Sequence, residues 1–145
     1  MDFTDVGMAT TFRMPLEQIE AGFDTLIATA AARGAEVVVV EIADGVFQQE
    51  TRAILQSSCI RDRLDGILFA APDALSALGG KTVLNSMNLS AFAISGMVSC
   101  SPLAAAEAAE VTGLPILSRE DLWSPEIIAR HVAPLMRKGT ETVAA

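Results

Sequence analysis

Glu36-Val37-Val38-Val39-Val40-Glu41-Ile42, followed by Ala43-Asp44-Gly45, is the stretch whose reading decides the fold. A β-branched run this short and this apolar reads as a strand buried on both faces, the pattern of a parallel sheet covered by helices. Upstream, Pro15 suits a first helical turn, and Leu16, Ile19, Phe23, Leu26, Ile27 and Ala30 recur at helical spacing until Gly34 stops the helix. Downstream, Ile54 and Leu55 mark one face of a helix over about residues 48–58. Gly66-Ile67-Leu68-Phe69-Ala70-Ala71 reads as a second buried strand, and Pro72-Asp73 opens a short helix that Gly79-Gly80 ends.

The third strand is expected over residues 91–95, closed by Gly96. Ser101-Pro102 has the form of an N-cap with proline at the first helical position, and Gly113 ends that alanine-rich helix. Pro115-Ile116-Leu117 reads as a short peripheral strand. Ser118-Arg119-Glu120-Asp121 has capping-box spacing, and Ser124-Pro125 starts a last helix running to about Arg137. Residues 138–145 are expected to fray. Strands separated by helices of this length imply βαβ units with parallel pairing and right-handed crossovers. The expected class is therefore α/β: a three-layer sandwich with a mainly parallel sheet of four or more strands. A single domain over residues 1–145 is expected, with a loop-like N-terminal segment over residues 1–14.

Composition bounds the function. The 145 residues are 51% hydrophobic, 19% charged and 5% aromatic, which excludes a disordered tail or a fibre. A net charge of −8 argues against nucleic-acid and anionic-membrane partners, both of which reward clustered Lys and Arg. No apolar run reaches the roughly 18 residues of a membrane span, because Glu41 and Pro72 interrupt the longest candidates. The first residues, Met1-Asp2-Phe3-Thr4-Asp5, lack the basic and apolar regions of a signal peptide, so a cytoplasmic protein is expected. Cys59, Cys100 and His131 stand apart without metal-ligand spacing, and the absence of tyrosine excludes phenol-based acid–base chemistry.

In open parallel sheets ligands bind outside the carboxyl ends of the strands, so the residues after each strand are candidates for chemistry. The first strand ends in Glu41 and, across a turn, Asp44. An acid at the end of a buried strand can hold Mg²⁺, a hard cation that prefers oxygen ligands; it can equally cap the next helix. Asp73 follows the second strand, and Ser95 and Gly96 close the third. Gly45, Gly96 and Ser101 could offer backbone amides or hydroxyls to an anion; the alternative is that Ser101 simply caps its helix. Gly79-Gly80-Lys81-Thr82 carries the G-K-T of a phosphate-binding loop, but Leu75 stands where the motif needs glycine, so Lys81 is expected to be solvated. Residues 2–11, rich in Asp, Thr and Gly, have the composition of a ligand-contacting loop, and Phe3, Val6 and Met8 suit a docked segment.

Several stretches together resemble a family. They are Asp2-Phe3-Thr4-Asp5, the block Glu41-Ile42-Ala43-Asp44-Gly45-Val46-Phe47-Gln48-Gln49-Glu50-Thr51, then Phe69-Ala70-Ala71-Pro72-Asp73-Ala74, and Ser95-Gly96 with Ser101-Pro102-Leu103. In this order they look like the C-terminal part of an uncharacterised bacterial group of P-loop NTPase-like proteins, similar in layout to dethiobiotin synthetases. The resemblance implies a P-loop NTPase-like fold missing its first strand and phosphate-binding loop, with ATP and Mg²⁺ as cofactors. It implies Glu41 as the metal ligand, Asp44 and Glu50 as catalytic groups, and a nucleotide or substrate edge lined by Asp5, Thr10, Thr11, Gly45, Gln48, Thr51, Asp73, Ser95, Gly96 and Ser101. Without backbone amides and a lysine to cradle the phosphates, such a chain is not competent by itself. The implied partner is a P-loop-bearing segment or second subunit, and a homo-oligomer is expected because a sheet lacking a strand exposes unpaired backbone. Two other functions fit the residues: a non-catalytic α/β ligand-binding or subunit-interaction module, and a small carboxylate-based enzyme using Asp44, Glu50 and Asp73.

Overall fold

The structure, a computed structural model, describes residues 1–136. It is a mixed α/β chain, mostly helical, with a small parallel sheet. It divides into two compact units, Met1–Arg63 and Leu64–Ala145. The expected tail over residues 138–145 lies outside the described residues.

In the first unit, the N-terminal segment is built by its own acids. The Asp2 carboxylate accepts from the Thr4 amide at 2.8 Å and Asp5 accepts from the Asp2 amide at 2.8 Å, a capping box around the 3-10 turn Phe3–Val6. The segment docks on α1 (Leu16–Ala32): Val6 and Met8 pack against Gly22, where any Cβ would collide with the Met8 side chain. The helix expected over residues 48–58 is instead two helices, α2 (Gln49–Gln56) and α3 (Ser58–Arg61). Ser57 is the reason: its hydroxyl accepts from the Ile60 amide at 3.3 Å and donates to Glu20 of α1, so it caps a new helix instead of continuing the old one. Asp24, one turn beyond Glu20, pairs with Arg63.

Residues 36–42 correct the first expectation. They are not buried, and they are in no sheet. Val37, Val38, Val39 and Val40 are all exposed, Val39 by 92%. Among the described residues no backbone group of residues 36–42 enters a backbone hydrogen bond. β-branched composition makes an extended chain favourable; a paired strand is what makes it a sheet, and among the described residues none pairs with it.

In the second unit, β1 (Ile67–Ala70) and β2 (Ala91–Ser95) pair in parallel, with Leu68 opposite Ala93, Phe69 opposite Ile94 and Ala70 opposite Ser95. The peripheral strand is reduced to one bridge: Ile94 donates to the Pro115 carbonyl at 2.9 Å and accepts from the Leu117 amide at 2.8 Å. This places β2 centrally and buries it almost throughout. β1, expected to be buried on both faces, alternates instead, with Leu68 and Ala70 outward, because successive side chains point to opposite faces and α4 packs on the face that carries Phe69.

α4 (Ala74–Ser86) runs straight through Gly79-Gly80, where a helix stop was expected. A Cβ at Gly80 would collide with the Phe69 ring, so this glycine lets the helix approach β1. That packing outweighs the roughly 1 kcal/mol helix penalty of a glycine. α5 (Pro102–Thr112) begins at the Ser101 cap and ends at Gly113 in the left-handed region, as read from the sequence. Lys81, expected to be solvated, instead donates to the Thr112 carbonyl at the end of α5, where a cation offsets the helix dipole. Ala71, Ala77, Ile94, Val98 and Ala108 form the buried core. α6 (Arg119–Trp123) carries the expected capping box between Ser118 and Asp121, and α7 (Pro125–Met136) follows. His131 lies on α7, half-buried, with Nδ1 2.9 Å from the Ile127 carbonyl oxygen.

Candidate functional site

The block over residues 41–51 folds as a loop that runs into α2. Asp44 adopts φ of +68°, in the left-handed region that favours glycine, and the Gly45 carbonyl accepts from the Gln48 amide at 2.9 Å. Gln48 then caps α2: its side-chain carbonyl accepts from the Thr51 amide at 2.8 Å. Thr51 is buried, and its hydroxyl donates back to the Ala43 carbonyl at 3.1 Å. Glu50 uses both carboxylate oxygens, one accepting from the Arg13 amide at 2.6 Å and the other from the Gln48 side-chain amide. Gln48, Glu50 and Thr51 are thus brought together as one network that pins the loop and residue 13.

Glu41 and Asp44 lie on the same loop, both exposed, and neither carboxylate takes a hydrogen bond or ion pair among the described residues. Among the described residues there is no group of three or more His, Cys, Asp or Glu side chains arranged for a metal. The other N-terminal candidates serve their own turns. Asp5 is held in the capping box, the Thr10 hydroxyl accepts from the Phe12 amide at 3.0 Å, and the Thr11 carbonyl accepts from the Met14 amide at 3.2 Å.

In the second unit, Ser95 ends β2, and Asp73, Gly96 and Ser101 come after the carboxyl ends of β1 and β2, where a parallel sheet presents its ligand-binding edge. Each has a local structural partner. Asp73 caps α4, and the Ser76 amide donating at 2.7 Å, followed by the Ser76 hydroxyl, holds its carboxyl below the usual range. Ser95 is buried, and its hydroxyl donates to the Leu117 carbonyl at 2.7 Å. Gly96, at φ +92°, leaves no room for a side chain, because a Cβ would lie 2.9 Å from the Ala71 backbone nitrogen and oxygen. Ser101 accepts from the Ala104 amide at 3.4 Å.

Cys59 carries no reactive signature. Burial, then the neighbouring Asp24 carboxylate, pushes the Cys59 thiol up, away from the thiolate that a nucleophile needs. A side chain that motif reading passed over is Arg13. It lines a cavity open to solvent, of about 440 Å³, with Glu50 and the first turns of α1 and α2. Its one sequence signal is isolation: it is the sole basic residue before Arg33. No family model, curated protein or solved structure matches the chain.

Proposed function

We infer that the chain is the C-terminal portion of a nucleotide-binding protein, ATP- and Mg²⁺-dependent and dethiobiotin-synthetase-like, that works only when a P-loop-bearing segment or second subunit completes it. The observation that carries this reading is the run of valines at residues 37–40, exposed and without a backbone hydrogen-bond partner among the described residues, leading directly into Glu41 and Asp44. An apolar extended segment with all its backbone groups unpaired is a strand awaiting a neighbour. In the completed protein the sheet has four or more parallel strands within a three-layer sandwich. Residues 36–42 form one of them, and the strand leading into the phosphate-binding loop lies beside it.

The residues fit the share of a Mg²⁺ site that such proteins supply. Mg²⁺ keeps several waters and takes only one or two carboxylates, the rest coming from substrate phosphates. Glu41, with an unbonded carboxylate at the end of the apolar run, would hold the ion, which neutralises charge on the phosphate oxygens. Asp44 extends the same acidic edge, and Glu50 holds the loop in place through Arg13 and Gln48. Alone, these acids repel a polyphosphate.

The test joins the chain to the segment encoded upstream of it, provided that this carries a strand followed by G-x-x-x-x-G-K-[ST]. Calorimetry should then show ATP binding that requires Mg²⁺ and weakens at least tenfold in Glu41→Gln. Absence of that motif upstream, or of binding in the joined protein, overturns the reading.

The same valines also favour a second reading, a non-catalytic interaction module that adds a strand from another copy. Charge weighs against it. The antiparallel register that pairs all four valines sets Glu36 opposite Glu41, and like charges directly opposite are destabilising. Sedimentation of a stable dimer that survives high dilution would restore it.

A further inference from the structure

The open cavity in the first unit has an apolar wall that the nucleotide reading does not use. Met14, Leu16, Ile19 and Ala53 supply an apolar wall, and Arg13, Gln49 and Glu50 supply its polar groups. Its volume, about 440 Å³, lies within the range that holds small organic ligands. Among the described residues the Arg13 guanidinium makes no ion pair and no hydrogen bond, although Glu50 is bonded to the backbone of the same residue. Arg13 sits at φ +57°, in the left-handed region, and the Glu50 carboxylate accepting from its amide is what holds the backbone there. A half-buried carboxylate thus fixes the backbone of an exposed arginine whose side chain has no partner among the described residues.

We propose that this cavity binds a small organic carboxylate, with Arg13 taking the carboxylate and the Met14, Leu16, Ile19 and Ala53 wall taking a short apolar body. One guanidinium offers a planar fork that matches a carboxylate through two parallel hydrogen bonds. A phosphate dianion fits less well, since Glu50 lies in the same wall and repels a second negative charge. The apolar lining selects against small inorganic anions, which gain nothing from it.

The proposal is tested on the chain as it stands, without nucleotide or magnesium, so that it succeeds or fails independently of the function proposed above. Hexanoate, hexylamine and inorganic phosphate are titrated separately while amide chemical shifts are followed. Hexanoate should saturate shifts at Leu16, Gln49 and Glu50, and neither hexylamine nor phosphate should do so. Arg13→Gln should weaken hexanoate at least tenfold, and Arg13→Lys, which keeps the charge without the fork, should fall between. Ala53→Met fills the wall while leaving Arg13 in place and should abolish binding; helical content measured on each variant confirms folding. The proposal is overturned if hexanoate fails to saturate at about 10 mM, a weak-binding limit of roughly 3 kcal/mol. It is equally overturned if phosphate binds as tightly, or if folded Arg13→Gln or Ala53→Met binds hexanoate as well as the parent.

Discussion

Residues 36–42 and β2 are both short, apolar stretches ending near polar residues, yet they meet opposite fates. β2 has neighbours on both sides: Ala93, Ile94 and Ser95 pair with β1, and Ile94 also bridges to Ile116. Ala93 and Ile94 are completely buried. The valines make no backbone hydrogen bond among the described residues, and all four are exposed. The less β-branched of the two segments, Ala91-Phe92-Ala93-Ile94-Ser95, is the one that forms a central strand. Hydrogen-bonding partners and helices packed on the faces decide a strand, and the side chains of the segment itself only permit one.

Amide exchange should show the comparison most sharply. The Ile94 amide, bonded to the Pro115 carbonyl and fully buried, should exchange on the order of 10³-fold more slowly than those of Val38 and Val39. Equal protection would mean that the valines are paired in solution, and the contrast would be gone. Stability should follow the same division. Ile94→Ala should lose about 3 kcal/mol in denaturant unfolding, as for other large-to-small changes in a packed core. Gly96→Ala should lose a similar amount, because it forces a side chain against the Ala71 backbone at a positive φ. Val39→Ala should change stability by no more than about 0.5 kcal/mol.

A smaller effect sharpens the account of the helix caps in the second unit. Ser101→Ala should cost about 1 kcal/mol, the usual value of an N-cap side chain, and a loss of nucleotide or anion binding without that loss of stability would show that Ser101 does more than cap. The smallest effect concerns pH. Asp73 and Asp121 are both held below the usual carboxylate range, chiefly by the backbone amides of Ser76 and Ser118. A carboxyl with a lowered folded pKa stabilises the fold above the unfolded value, about 3.9, and that contribution is lost as pH falls through the folded value. Asp73→Asn keeps a capping group but cannot titrate, so the loss of stability below about pH 4 should become shallower. An unchanged acid transition would show that the Asp73 carboxylate does not contribute.

Much of the second unit was legible. Ser101-Pro102 and Gly113 marked both ends of α5, because a cap, a proline and a left-handed glycine act through the backbone immediately around them. The Ser118–Asp121 box was legible for the same reason. Gly79-Gly80 misled because a glycine reads alike as a helix stop and as a point of close packing; only the Phe69 ring against Gly80 tells them apart. Lys81 misled similarly, since its partner, the Thr112 carbonyl, is 31 residues away. Among the site residues, the cluster of Gln48, Glu50 and Thr51 stood out in sequence, while the contact that joins Glu50 to Arg13 spans 37 residues and left no local trace.

By itself the sequence determined the α/β class, the position of β2, the caps of α5 and α6, and the acids at the end of the valine run, all of which follow from forces acting within a few residues. Tertiary structure alone decided which apolar run became a sheet, where a glycine admits a ring, and that Arg13 lines a cavity. Pairing and burial need groups far apart in the chain to meet, and their stabilisation exists only once they have met.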